Sequence, residues 1–149
     1  MGTPDFAVGT LKELIDNQYD VVAVVTQPDK PKGRSKELVF SPVKEEAVKN
    51  NIQVLQPERA RDEAFVEELR KYNADVFVVV AFGQLLPKSI IDMPRLGCIN
   101  VHASLLPKYR GASPIQWAVI DGCEYSGVTT MKMDAVSYTH QTLPTNSRV

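Results

Sequence analysis

Cysteine is scarce in this chain: Cys98 and Cys123 are the two among 149 residues. Neither has metal-ligand spacing or companions for a disulfide framework, which fits a reducing cytoplasm. Charge of one sign is also lacking, with 17 Lys and Arg against 18 Asp and Glu and a formal net charge of -1. No global field therefore recruits nucleic acid or a membrane, and any such partner has to be met by a local patch. No apolar run approaches membrane-spanning length. The start, MGTPDFAV, has neither a basic opening nor an apolar stretch of signal length, and Phe6 fills the slot where a myristoylation pattern needs Ser or Thr. Neither secretion nor lipid anchoring is expected. No G-x-G-x-x-G follows a strand pattern, which removes the dinucleotide-dependent dehydrogenases that a βαβ rhythm first suggests. The expectation is a cytoplasmic protein with no metal, no membrane and no obligate protein partner.

What is present suffices for one domain with one core. Runs of strand length alternate with segments of helical period, as in a parallel sheet with helices packed on it. Ala7, Leu11, Leu14 and Ile15 share a helical face, predicting a helix that ends near Asn17 before the strand VVAVVT, 21–26. After a Pro/Gly/Lys loop, Ser41-Pro42 reads as a cap and first-turn proline for a helix to about Asn51, followed by a short strand from Ile52. Asp62 is the expected cap of the next helix, lined by Phe65, Leu69 and Tyr72. VFVVVA, 76–81, is apolar throughout, as a central strand buried on both faces would be. A short helix over 88–93 precedes the strand CINVH. Ser113-Pro114-Ile115-Gln116 then reads as a capping box for a helix through Ile120, and GVTTMKM as one more strand. The expected fold class is α/β: a Rossmann-like, open, mostly parallel sheet with helices on both faces. Two irregularities stand out. The chain opens on a turn, GTPD, that leads straight into a helix, so a first strand is expected upstream. Its end, AVSYTHQTLPTNSRV, has neither strand nor helical period. Residues 135–149 are expected to be an unstructured, appended or out-of-frame tail, and His140 within it is given no role.

Chemistry concentrates at the end of CINVH. Alternation along a strand puts Asn100 and His102 on one face, about 7 Å apart. In open parallel sheets, ligands bind beyond the carboxyl ends of strands, where this pair sits. An Asn amide can donate to a carbonyl oxygen, and a His titrating near neutrality can donate to the oxyanion that forms when a nucleophile attacks. The pair suits acyl-type transfer. The plainer alternative has His102 capping the strand and Asn100 satisfying a turn. Against it, a polar pair interrupting an apolar strand is costly to bury without partners. Ser104 as a triad nucleophile is discounted, because no second His lies in the ordered part and no G-x-S-x-G elbow surrounds it. Lys30, Lys32, Arg34 and Lys36 fall within seven residues and form a flexible basic arm able to contact phosphates, or a solvated loop with no partner.

The stretch GCINVHASLLPKYRGASPIQWAV resembles the signature of formyltransferases that use 10-formyltetrahydrofolate. MGTPDFAV, TQPDKPKGRSKELVFSPVK, ADVFVVVAFGQLLP and GVTTMKMD narrow the resemblance to the methionyl-tRNA branch of that family, over residues 1–134. The resemblance implies a formyltransferase catalytic domain over 1–134. Its reaction would be formyl transfer from the folate to the amino group of methionine carried by initiator tRNA. It implies that Asn100 holds the formyl oxygen and His102 stabilises the oxyanion. It places Phe82, Gly83, Gln84, Leu85 and Leu86, with Ser104, Leu105, Leu106 and Pro107, around the folate. It likens 29–38 to an inserted loop that wedges against the tRNA acceptor end, with Arg34 as its key arginine. Three positions depart from the family. Ser35 replaces a glycine, Glu37 replaces a lysine, and Tyr138 stands where the family has its third catalytic residue, an aspartate. The chain as written is therefore expected to be an inactive fragment. Two alternatives stay open: a folate- or tRNA-binding remnant without chemistry, and a formyltransferase acting on a purine precursor or a sugar-nucleotide amine.

Overall fold

The computed structural model describes residues 1–32 and 37–134, with only the backbone at Lys32 and Glu37. Arg34, Ser35, Lys36, Tyr138, His140 and the expected tail lie outside the described residues. In chain order the elements are α1 (Phe6–Asp16), β1 (Val24–Val25), β2 (Lys30–Lys32), β3 (Glu37–Val39), α2 (Pro42–Lys49) and β4 (Val54–Leu55). They continue with α3 (Glu63–Arg70), β5 (Phe77–Val79), α4 (Lys88–Ile91), β6 (Cys98–His102), α5 (Pro114–Ile120) and β7 (Thr129–Met133).

Two ladders carry the domain. β1 pairs with β4 in parallel. β5 pairs with β6 in parallel, and β6 with β7 antiparallel. The residues that join the ladders are the first two of the chain. Gly2 N donates to Val25 O at 2.9 Å, Val80 N donates to Met1 O at 2.9 Å, and Met1 N donates to Val78 O at 2.7 Å. Gly2 also bridges Val80 in parallel. Across the sheet the order is therefore β4, β1, Met1–Gly2, β5, β6, β7, with β7 the antiparallel member. Met1–Gly2 occupy the strand position that the opening turn left unfilled in the sequence. A glycine is required there, because an added Cβ would lie 2.8 Å from both the Ala7 Cβ and the Val80 carbonyl oxygen.

Helices cover both faces, as the α/β class requires. Alternation sends Val24 to one side, with Ala7, Leu11, Val43 and Ala47 of α1 and α2. It sends Val25 to the other, with Phe65 and Leu69 of α3 and Ile90 of α4. Burial pushes the Cys98 thiol up to about 11 and makes it inert strand filler.

Several local expectations change. The strand 21–26 pairs with β4 at Val24–Val25, and 76–81 pairs with β6 at Phe77–Val79 and with Gly2 at Val80. The expected flexible arm has ordered flanks, since β2 and β3 form an antiparallel hairpin. Ser41 caps α2 as expected, accepting from Lys44 N at 3.2 Å. Asp62 precedes α3 without a side-chain cap bond, its carbonyl instead accepting from Phe65 N and Val66 N. The capping box before α5 does not form, because Ser113 sits in the left-handed region at φ 58 with no side-chain cap bond.

Ser41→Ala should therefore cost about 1 kcal/mol in urea unfolding, the usual worth of a cap. Ser113→Ala should cost no cap energy and stay within about 0.5 kcal/mol of the parent.

Candidate active site

β6 delivers the polar pair. Cys98, Asn100 and His102 alternate onto one face, and burial runs from complete at Cys98 through half at Asn100 to 9% exposure at His102. In the ladder Asn100 lies between Val79 and Met131, and His102 lies opposite Thr129. The pair is thus held by central pairing, next to the end of β5 from which loop 82–86 departs.

The imidazole has a polar neighbour at each ring nitrogen. Nδ1 lies 2.9 Å from the Ser104 hydroxyl, and Nε2 lies 3.4 Å from the Gly111 carbonyl. Ser104 is fully buried, and its hydroxyl donates to the Lys108 carbonyl at 2.8 Å. Thr129 fixes the turn from the neighbouring strand, donating from Oγ1 to Ser104 O at 2.7 Å and accepting from Leu106 N at 3.1 Å. Burial lowers the His102 pKa below its ordinary 6.5, with the Gly111 carbonyl opposing. His102 is therefore a neutral base at pH 7.

The loop after β5 divides its side chains. Phe82 and Leu86 enter the core, while Leu85 is 66% exposed. Gln84 bolts this loop to the one after β4, accepting from Ala60 N at 2.7 Å and donating to Pro57 O at 3.1 Å. Gln27 acts alike, donating from Nε2 to Phe82 O at 3.1 Å. Gly83 has φ +82, and a Cβ there would come within 2.1 Å of the Gln27 amide. Between these loops lies a cavity of about 580 Å³, lined by Gln27, Lys30, Arg59, Arg61, Gly83 and Leu85 among others. It brings the expected folate loop and one lysine of the basic arm together. Asn100 and His102 are not among its lining residues, so this cavity is formed without the polar pair. Leu105 lines a second hollow, of about 320 Å³, with Tyr109, Cys123 and Tyr125. Leu106 is half-buried and Pro107 exposed.

The root of the hairpin is tied down. Lys44 of α2 donates to Asp29 at 2.5 Å and to Gln56 Oε1 at 2.8 Å, and its ammonium lies 4.0 Å from the Phe40 ring centroid. Burial, the largest influence on Asp29, pushes its pKa up. The hydrogen bonds from Lys44 and Gln56, with the Lys44 charge, outweigh it and hold Asp29 below its ordinary 3.8. Sequence reasoning missed this network, and it missed Arg59, Arg61 and Thr129. The Arg-x-Arg spacing was visible, but only the fold reveals that a cavity lies beside it. Among the described residues, no group of three His, Cys, Asp or Glu could hold a metal, and no helix is long and apolar enough to cross a membrane.

The family profile described as formyl transferase matches residues 1–137. The chain belongs to the formyl transferase family. It is 86% identical over 134 residues to the methionyl-tRNA formyltransferase of Lachnospira eligens, covering 90% of this chain and 42% of that protein. It is 63% identical to that of Clostridioides difficile, covering 90% and 43%. The chain thus spans less than half the length of these curated relatives. The phosphoribosylglycinamide formyltransferase structure from Anaplasma phagocytophilum superposes with TM-score 0.68 at 17% identity, over 91% of this chain and 62% of that one. At that identity the likeness concerns the fold, and it agrees with the α/β class. This formyl transferase domain therefore carries Asn100 and His102 on a sheet of the kind its structural neighbours share.

Burial of His102 sets a stability slope. The unfolded chain protonates this imidazole before the folded chain does, so the stability it confers is whole above about pH 6.5 and falls as pH drops toward the lower folded value. The urea-midpoint difference between the parent and His102→Gln should therefore narrow as pH falls from about 7.5 to about 5.5. The contribution of Asp29 is lost only in a separate window, below 3.8.

Proposed function

We propose that residues 1–134 form the catalytic domain of a cytoplasmic enzyme that formylates the amino group of methionine carried by initiator tRNA, with 10-formyltetrahydrofolate as donor. The observation that carries this reading is the 86% identity to a protein named methionyl-tRNA formyltransferase, over a stretch that includes Asn100 and His102. Loop 82–86 fits a flat heterocycle, because exposed Leu85 offers an apolar wall beside the exposed Gly83. Bound there, the folate supplies an activated formyl group on nitrogen. The Asn100 amide donates to the formyl oxygen and stabilises the negative charge that develops on it. His102, neutral at pH 7, takes the proton of the attacking amine, then as imidazolium stabilises the oxyanion and returns a proton to the departing nitrogen. Lys30, Lys32, Arg34 and Lys36 contact phosphates of the acceptor end, with Lys30 at the cavity. Ser104, Leu105, Leu106 and Pro107 form the turn that frames this site, with exposed Leu105 available to the folate.

Tyr138, in the family's aspartate position, supports a second reading for the chain as written: it binds folate without transferring the formyl group. Both readings are tested by a chimera of residues 1–134 joined to the remainder of the Lachnospira eligens relative. The chimera should formylate methionyl-tRNA, whereas the chain alone should bind folate without turnover. A chimera that binds folate but transfers nothing would sink the first reading. In an active chimera, His102→Ala should lower the transfer rate by roughly 10²–10⁴-fold with folate binding kept. Arg34→Ala should raise the KM for tRNA, and should soften its salt dependence, with little change in that for folate.

A further inference from the structure

We propose that Ser104 is the positioning residue that fixes His102 as its Nδ1–H tautomer, leaving Nε2 as the proton acceptor at the end of β6. The inference deepens the transfer chemistry above and rests on His102 being its proton carrier. The tautomer itself can be read without any substrate.

The assignment follows from counting protons. The Ser104 hydroxyl has one, and the Lys108 carbonyl at 2.8 Å can only accept. That proton is therefore committed to Lys108, and Oγ turns lone pairs toward His102 Nδ1 at 2.9 Å. Nδ1 must carry the ring proton. The opposite arrangement, with Ser104 donating to Nδ1, would set Oγ and the Lys108 carbonyl oxygen against each other as two acceptors in contact. Ser104 cannot turn away to escape the choice. It is fully buried, and the Thr129 hydroxyl on β7 holds its carbonyl at 2.7 Å while accepting from Leu106 N. The Lys108 N–H donates to Leu105 O at 3.1 Å, closing the same turn.

A neutral imidazole carries one proton, so placing it on Nδ1 empties Nε2. The Gly111 carbonyl faces Nε2 at 3.4 Å, beyond the usual range of an N–H···O bond, and it becomes a good partner only once Nε2 is protonated. Among the described residues, the groups bonded to the ring are the Ser104 hydroxyl and the Gly111 carbonyl, with the Lys108 carbonyl acting through Ser104 and Thr129 opposite in the ladder. None of these four groups ionises. A reaction that forms a new N–C bond and breaks another must remove one proton from the attacking amine and deliver one to the departing nitrogen. Nε2 takes the first and returns it. A ring locked the other way would begin the cycle with Nε2 already occupied.

The test uses the whole chain with His140→Gln, which leaves His102 as its single histidine, labelled with ¹⁵N. Long-range proton–nitrogen correlations of the imidazole are recorded above its titration. Nδ1 should show the protonated shift and Nε2 the unprotonated one. Ser104→Ala should return the ring toward the Nε2–H form that free histidine favours, and Ser104→Thr, which keeps the hydroxyl, should restore Nδ1–H. An Nε2–H ring in the parent would overturn the proposal, as would an undiminished Nδ1–H signal in Ser104→Ala. If Ser104→Ala does not fold, the parent spectrum decides alone. An inactive chimera with an Nδ1–H ring would refute the proposed function and leave this inference standing.

Discussion

The structure depends on a two-residue seam. Met1 and Gly2 lie between Val25 of β1 and the backbone of Val78 and Val80, and their hydrogen bonds turn two short ladders into one sheet. The seam works because Gly2 has no Cβ, which lets the backbone pass between α1 and the end of β5. On one side of it lie β1, β4 and the root of the basic hairpin. On the other lie β5, β6 and β7 with the polar pair. Loop contacts reinforce the seam at the carboxyl ends of the strands. The Thr3 hydroxyl donates to Phe82 O and accepts from Gln27 N, both at 3.2 Å, and Gln27 and Gln84 span the same gap.

Those contacts explain why the candidate site is assembled from distant parts of the chain. Parallel strands end on one side of a sheet, so the loops after β1, β4, β5 and β6 gather there whatever their order in sequence. Side-chain amides then replace backbone ladders as the connections between loops. Gln84, expected at the folate, has both ends of its amide engaged with the loop after β4. Its contribution to the site is to hold Gly83 and Leu85 in place. Lys44 does the same for the hairpin, through Asp29 and Gln56.

Two kinds of apolar residue behave differently here. Ile90, Phe77 and Val79 sit in the core, as strand and helix patterns require. Ile115, Trp117, Val119 and Ile120 of α5 are exposed, and Ala118 is the buried residue of that helix. Helical period alone identifies a helix, but it cannot say whether a neighbour is there to cover its face. The same limit applied to caps. Ser41 and Ser113 both precede a proline and look alike in sequence, yet one caps and the other sits at φ 58.

Local pattern determined what depends on local physics. Alternation set β6 and put Asn100 and His102 on one face, helical period placed α1 and α3, the Ser41-Pro42 cap placed α2, and the alternation of strands with helices set the α/β class. The signature around 97–119 carried the family. Tertiary structure decided what depends on residues brought together from afar. It ordered the hairpin flanks, placed Arg59 and Arg61 beside a cavity, and set Thr129 of β7 opposite His102. It also gave Ser104 a direction, since the single proton of a buried hydroxyl goes wherever the fold places an acceptor, and no pattern along the chain records where that is.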